Sequence, residues 1–312
     1  MASGRYLFGP VPSRRLGRSL GVDLTPLKTC TLNCVYCQLG RTPQTAMERR
    51  DYVPIADVLR ELKEWKASGG EADVITLAGS GEPTLHLHFG QVLEFVREEL
   101  GLPSVLLTNG TLLHLVEVCR QAALADVVKV TLSAWNEDSF AALHRPHPSV
   151  SFGQLLDGAK KFRAAFNGTF WVEVFLVAGM NTSEEALQAM RELIEPLHPD
   201  KIHLNTAVRP AAESGVTAVG ESILRRALEV MGPAAEITAS VPREPSGDGK
   251  YFSEVELCGL IERHPCSAEE LASVFGFPHA RVIEELEPLL QKQRIIQVER
   301  NGIIYYALPS LN

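Results

Sequence analysis

A chain of 312 residues can hold one large core or a core with a small appendage. Its 45% hydrophobic and 22% charged content is ordinary globular composition and excludes a disordered or low-complexity protein. The formal charge of -8 excludes a surface built throughout to grip phosphates, while leaving room for a local basic patch. No apolar run is long enough to span a bilayer, and the Arg- and Pro-punctuated start lacks the apolar stretch of a secretion signal. The cytoplasm is therefore the expected location.

In chain order, short apolar runs predict strands at Leu20 to Leu24, Val74 to Ala78, Ser104 to Thr108, Val127 to Leu132, Phe170 to Val177 and Ile202 to Leu204. Between them, Ile55 to Ala67, Phe89 to Glu99, Leu112 to Leu124, Phe152 to Phe166 and Glu184 to Leu197 carry apolar residues at helical spacing. Thr182 with Glu185 reads as a capping box for the last of these helices. The alternation predicts an α/β fold around a parallel sheet. Six units are too few for a closed eight-fold barrel, so the expectation is a partial (β/α)6 barrel with its functional loops at the strands' C-terminal ends.

Residues 1–231 are read as this core and residues 232–252, rich in Pro, Gly and small polar residues, as a linker. The order beyond it predicts a small winged-helix domain at residues 253–312. It comprises a helix from Ser253 to Glu262, a second opened by the Ser267/Glu270 capping box and ended at Gly276, and a third from Pro278 to Gln291. Arg294 to Val298 and Ile303 to Leu308 then pair across Asn301-Gly302. Its charge balance is negative, with Glu284-Glu285-Leu286-Glu287 on the third helix, so DNA is an unfavoured partner and protein docking or substrate presentation the favoured role.

Three of the six cysteines lie within eight residues, as Cys30-x3-Cys34-x2-Cys37 just after the first strand. That grouping suits metal binding better than a disulfide framework. Three thiolates can ligate three irons of a cubane and leave the fourth open to a chelating ligand such as S-adenosylmethionine (SAM). Structural zinc is the alternative, but it usually takes four ligands in two separated pairs. After the second strand, Gly79-Ser80-Gly81-Glu82-Pro83 offers a loop whose glycines allow close backbone approach and whose acceptors suit a cationic amine. Thr108-Asn109-Gly110 and Ser133 end the third and fourth strands, and Asn205 follows the sixth. Each is polar at a strand end, and each also reads as an ordinary cap or turn.

This spacing, with Tyr36 before the last cysteine, resembles the signature of the radical SAM superfamily. The resemblance implies a [4Fe-4S] cluster on Cys30, Cys34 and Cys37, and SAM contacts from Tyr36, Gly79, Ser80, Gly81, Glu82, Pro83, Thr108, Asn109, Ser133 and Asn205. It further implies reductive cleavage of SAM to a 5'-deoxyadenosyl radical that abstracts hydrogen from a substrate. A reductant such as flavodoxin or ferredoxin is the expected partner. The run Phe8 to Asp23, Ser80 to Leu85, His144-Arg145-Pro146-His147-Pro148 and Leu204-Asn205-Thr206 is similar to a bacterial and archaeal group related to the tRNA-modifying wyosine synthases, although residues 1–29 lack the cysteines of their second cluster. The expected substrate is RNA, a peptide or a protein, with no catalytic side chain named. A glycyl-radical-enzyme activase and an iron-sulfur DNA-binding regulator are the alternatives. Arg14, Arg15 and Arg18 fit either an anion site or a salt-bridged strand entrance, Lys28 either a reactive amine or a surface lysine, and Arg145 and His147 either substrate contact or loop ordering.

Overall fold

The computed structural model describes residues 6–13, 15–238, 254–300 and 302–309, so Arg14 and most of the expected linker lie outside the described residues. The chain opens with a hairpin, β1 (Leu7–Ser13) and β2 (Gly17–Val22), followed by α1 (Ile55–Ala67), β3 (Val74–Leu77), α2 (Phe89–Phe95), β4 (Ser104–Thr108), α3 (Val116–Ala122) and β5 (Val127–Thr131). Next come α4 (Glu137–His144), α5 (Phe152–Ala165), β6 (Thr169–Leu176), α6 (Glu184–Ile194), β7 (Lys201–Thr206), α7 (Glu221–Met231) and β8 (Ala235–Ile237). Strands β1 to β8 form one eight-stranded sheet in sequential order, with β2 to β8 parallel and β1 antiparallel to β2.

Sequential order with crossovers of one hand keeps the helices on one side of the sheet. Side chains alternate along each strand, so that side takes Ile75, Leu77, Leu106, Val128, Phe170, Val172 and Leu204, all buried with helix residues such as Leu62, Leu93 and Phe162. The Phe162 and Phe170 rings lie 6.0 Å apart, one from α5 and one from β6. The opposite side is polar. Strand register puts Thr131, Glu173, His203 and Glu236 in one row across β5 to β8. Lys129, Trp171 and Lys201 form the next row, towards the strands' N-terminal ends.

The six expected strands are present as β2 to β7. Two more were missed. β1 carries Gly9, Pro10 and Pro12, which argue against a strand except at a sheet edge, where it lies, and β8 is only three residues long. β8 also begins the range read as linker. The α6 cap is Ser183, whose hydroxyl accepts from Ala186 N at 3.2 Å, and not Thr182. Helices α4 and α7 were not anticipated.

The C-terminal unit runs α8 (Glu254–Arg263), β9 (Cys266–Ser267), α9 (Ala268–Phe275), α10 (His279–Gln291), β10 (Ile296–Arg300) and β11 (Ile303–Ala307), with sheet order β10-β11-β9. Its hydrophobic cluster, centred on Leu271, Val282 and Leu286, is separate from the main one, and Val11 of β1 packs against it. Ser267 and Glu270 form the expected capping box. Arg209, in the segment after β7, donates to Glu270 at 2.6 Å, and the Tyr305 hydroxyl donates to Val208 O at 3.0 Å.

Candidate active site

The three clustered cysteines occupy the loop that leaves β2 at the C-terminal end of the sheet. The loop is held from several sides. Asn33 N and Val35 N donate to the His144 and Leu143 carbonyls at the end of α4, and His147 N donates to Thr31 O. Glu82 N donates to Thr29 O from below, and Gly81 passes so close to Thr29 O that any added Cβ would collide with it. Gly81 therefore serves by lacking a side chain.

All three cysteines are free thiols. Burial pushes the Cys30 thiol up to about 12, with the Glu82 carboxylate adding to the effect and Lys28 opposing it. Burial, then Cys30 and Cys37, raises Cys34 further. Thiolates crowded this way are costly unless a cation takes them up. Lys28 contributes part of that charge. Held at a left-handed φ of 64°, it donates to Cys37 Sγ at 3.3 Å and to Gly40 O, so it is neither a free surface amine nor an isolated reactive one. Three thiols on one short loop, with Lys28 beside Cys37, are the donors that a cluster with one open iron would take.

Glu82 is fully buried, and burial raises its carboxyl against the pull of its hydrogen bonds. Its Oε1 accepts from Thr108 Oγ1 and Thr84 Oγ1, both at 2.6 Å, and its Oε2 accepts from Asn109 N at 2.8 Å. The carboxylate is thus taken up by its own turn and by the end of β4. Ser80 donates to Asp23, locking the turn at Gly79, where φ is 130°. Asn109 turns its amide to Thr31 Oγ1 at 2.9 Å and Cys30 Sγ at 3.4 Å.

Tyr36 stacks on Phe175 with ring centroids 4.1 Å apart and an interplanar angle of 10°. Its hydroxyl lies 3.2 Å from His144 Nδ1, which is also 3.3 Å from Cys34 Sγ. Burial lowers His144 to about 4, so this imidazole is neutral. Ser133 is fully buried, and its hydroxyl accepts from Phe175 N at 2.8 Å.

The residues from Cys30 to Cys37, Gly79 to Pro83, Thr108 and Asn109 thus form one assembly, and the Ser133 hydroxyl adjoins it through Tyr36 and Phe175. Asn205 stands apart from the loop, in register with Phe175, with its amide 3.5 Å from Glu173. Sequence reading quoted Asp23 and His144 within family motifs but gave them no role; they touch the site across distances no local spacing reveals. It also missed the buried Lys129–Glu173 pair at 2.7 Å on the inner face. Lys129, with Arg15, holds Glu173 below the usual carboxylate range despite its burial. Arg15 donates to His203 Nδ1 at 3.0 Å, which leaves the ring proton on Nε2, 3.0 Å from Glu236. Arg18 pairs with Glu71 and Asp73. Arg15 and Arg18 are therefore salt-bridged or hydrogen-bonded strand-entrance residues.

The model of the Radical SAM superfamily matches residues 24–194. The chain is 32% identical over 307 residues to a Brachyspira hyodysenteriae protein described as GTPase Obg, covering 97% of this chain but only 45% of that protein. The chain has no G-x-x-x-x-G-K-[ST] phosphate loop of its own. A UPF0026 protein of Synechocystis is 37% identical over 205 residues, covering 65% of this chain and 76% of that one. The dual-specificity RNA methyltransferase RlmN of Caulobacter vibrioides is 28% identical over 211 residues, 61% of this chain and 49% of its own length. Among solved structures, a radical SAM methyltransferase from Sphaerobacter thermophilus superposes with a TM-score of 0.54 at 17% identity, covering 71% of this chain and 67% of that one, which shows the shared fold. The chain belongs to the Radical SAM superfamily and is an enzyme of that type, with a [4Fe-4S] cluster and SAM as its cofactors.

Proposed function

We propose that Cys30, Cys34 and Cys37 hold the cluster and that the chain directs SAM-derived radical chemistry at RNA. The observation that carries the reading is the cysteine loop gripped between Gly81, Asn109 and the end of α4. When bound, the cluster supplies one electron that splits SAM into methionine and a 5'-deoxyadenosyl radical able to take hydrogen from a substrate. The protein's part is orientation. Gly79, Ser80, Gly81, Glu82 and Pro83 present backbone carbonyls to the amine, Thr108 and Asn109 fix the loop from the next strand, and Tyr36 on Phe175 floors the pocket. Ser133, behind Tyr36 and Phe175, and Asn205, on the neighbouring strand, are assigned the remaining SAM contacts.

RNA as substrate is supported by the relation to RlmN, and by the likeness of Phe8 to Asp23 and His144 to Pro148 to the wyosine-related group. Residues 1–231 then form a partial-barrel core, 232–252 a linker and 253–312 a winged helix, supported by the helix-strand-helix-helix-strand-strand order. That unit's acidic charge favours a peptide or protein as the second reading, including a glycyl-radical partner, over DNA. A cytoplasmic setting with flavodoxin or ferredoxin as reductant completes the proposal; no helix among the described residues is long and apolar enough to cross a membrane.

The test is anaerobic reconstitution with iron and sulfide, reduction, and chromatography for 5'-deoxyadenosine. Formation that disappears in Cys34→Ala supports the reading, and no product from the wild type overturns it. A glycyl radical seen by electron paramagnetic resonance on an added protein would move the substrate class from RNA to protein.

A further inference from the structure

One carboxylate beside the cysteine loop holds two arginines at once. Glu213 Oε2 accepts from Arg41 Nη2 at 2.7 Å, and its Oε1 accepts from Arg145 Nη1. The arginine side chains are 66% and 41% exposed while Glu213 is 21% exposed, so the guanidiniums face outward around a recessed carboxylate. Two positive charges on one negative leave a surplus of one, on a chain whose overall charge is -8.

All three residues are tied to the cysteine loop. Arg41 follows Cys37 by four residues, which places its Cα within about 14 Å of that of Cys37 even if extended. The Arg145 carbonyl accepts from Asn33 N, and Glu213 N donates to Val35 O. Arg145 caps α4 in the left-handed region at φ 43°, ψ 63°, a position where glycine is ordinarily favoured. A non-glycine residue kept at this position, its carbonyl bonded to the cysteine loop and its guanidinium turned to Glu213, points to use of the side chain. The Glu213 carboxylate already shows what the two guanidiniums grip together: an anion with oxygens on two sides.

We infer that Arg41 and Arg145 form a phosphate clamp for the RNA strand beside the SAM pocket, with Glu213 holding the pair in place until a backbone phosphate takes over its contacts. Guanidinium donors match phosphate oxygens in pairs, and such contacts set the register of a nucleic acid without reading its sequence. The clamp rests on the RNA reading and specifies how that site positions its strand.

Binding of a fluorescein-labelled single-stranded RNA of mixed sequence, followed by anisotropy over a range of salt, tests it on the reconstituted full chain. Arg41→Gln and Arg145→Gly are each expected to weaken binding about tenfold and to lower the salt slope by roughly 0.7 per lost phosphate contact. Arg145→Gly relieves the backbone strain, so its folding is safe. Glu213→Gln is expected to change in the opposite sense and tighten binding, because the competing charge is gone while the shape is kept. Arg225→Gln, on the exposed face of α7 against Glu221, is the control and should match the wild type. Unchanged affinity and salt slope in Arg41→Gln and Arg145→Gly, or weaker binding in Glu213→Gln, overturns the clamp while leaving the RNA reading intact. No binding of this RNA or of total cellular RNA by wild-type protein that still forms 5'-deoxyadenosine overturns the RNA reading and the clamp with it.

Discussion

Gly81 and Lys129 show two ways in which single residues matter here. At Gly81 the limit is space, because Thr29 O occupies the position a Cβ would need. Gly81→Ala is expected to lower 5'-deoxyadenosine formation at least about tenfold through displacement of the loop, measured on anaerobically reconstituted protein. At Lys129 the limit is charge. Its partner Glu173 has a folded pKa below the usual value, so the pair's contribution is complete above the ordinary carboxylate range and is lost as pH falls through the lowered value. In Lys129→Met the burial of Glu173 is less opposed and its pKa rises. Denaturant titration should show a loss of about 3–5 kcal/mol at neutral pH that shrinks as acid protonates the carboxyl. The cysteines and the Gly79 to Pro83 turn were readable from sequence because their chemistry is local. The Lys129–Glu173 pair was not, since 44 residues separate its members and only the β5–β6 register brings them together.

Among the elements, α4 bears most directly on the site, because its last turn supplies the carbonyls that hold Asn33 and Val35 and the imidazole beside Cys34. Asn136 caps it, accepting from Ser139 N at 2.8 Å in a capping box. Asn136→Ala is expected to cost about 1 kcal/mol in denaturant unfolding, with part of the loss appearing as a looser cysteine loop and lower iron content. This eight-residue helix escaped the sequence reading because its apolar positions span barely two turns, too few to establish a period. Longer helices such as α1 and α5 were legible within a residue or so at each end. α3 is shorter than expected, since Leu112 to Leu115 form turns before the helix starts at Val116.

For the molecule as a whole, two hydrophobic clusters meet at β1 and at the segment after β7. Arg209 joins them, donating to Glu270 at the start of α9 and lying 3.5 Å from Gln38, the residue after Cys37. Glu270→Gln leaves a partly buried guanidinium without its countercharge. The C-terminal unit is then expected to melt several degrees earlier than the core in calorimetry, where the wild type shows closer transitions. The linker-like stretch and the order of elements raised the expectation of a C-terminal unit, but this attachment was not legible, because Arg209 and Glu270 stand 61 residues apart.

The sequential sheet order has a further consequence for solubility. A sheet that does not close leaves two rims of backbone groups available to foreign strands. At one rim β8 is only three residues, too short to template much; at the other, β1 is interrupted by Pro10 and Pro12 and packed by α8 and α9. A chain cut after Thr238 loses that packing and is expected to self-associate, visible as higher-order species in light scattering, even where its cysteine loop remains intact.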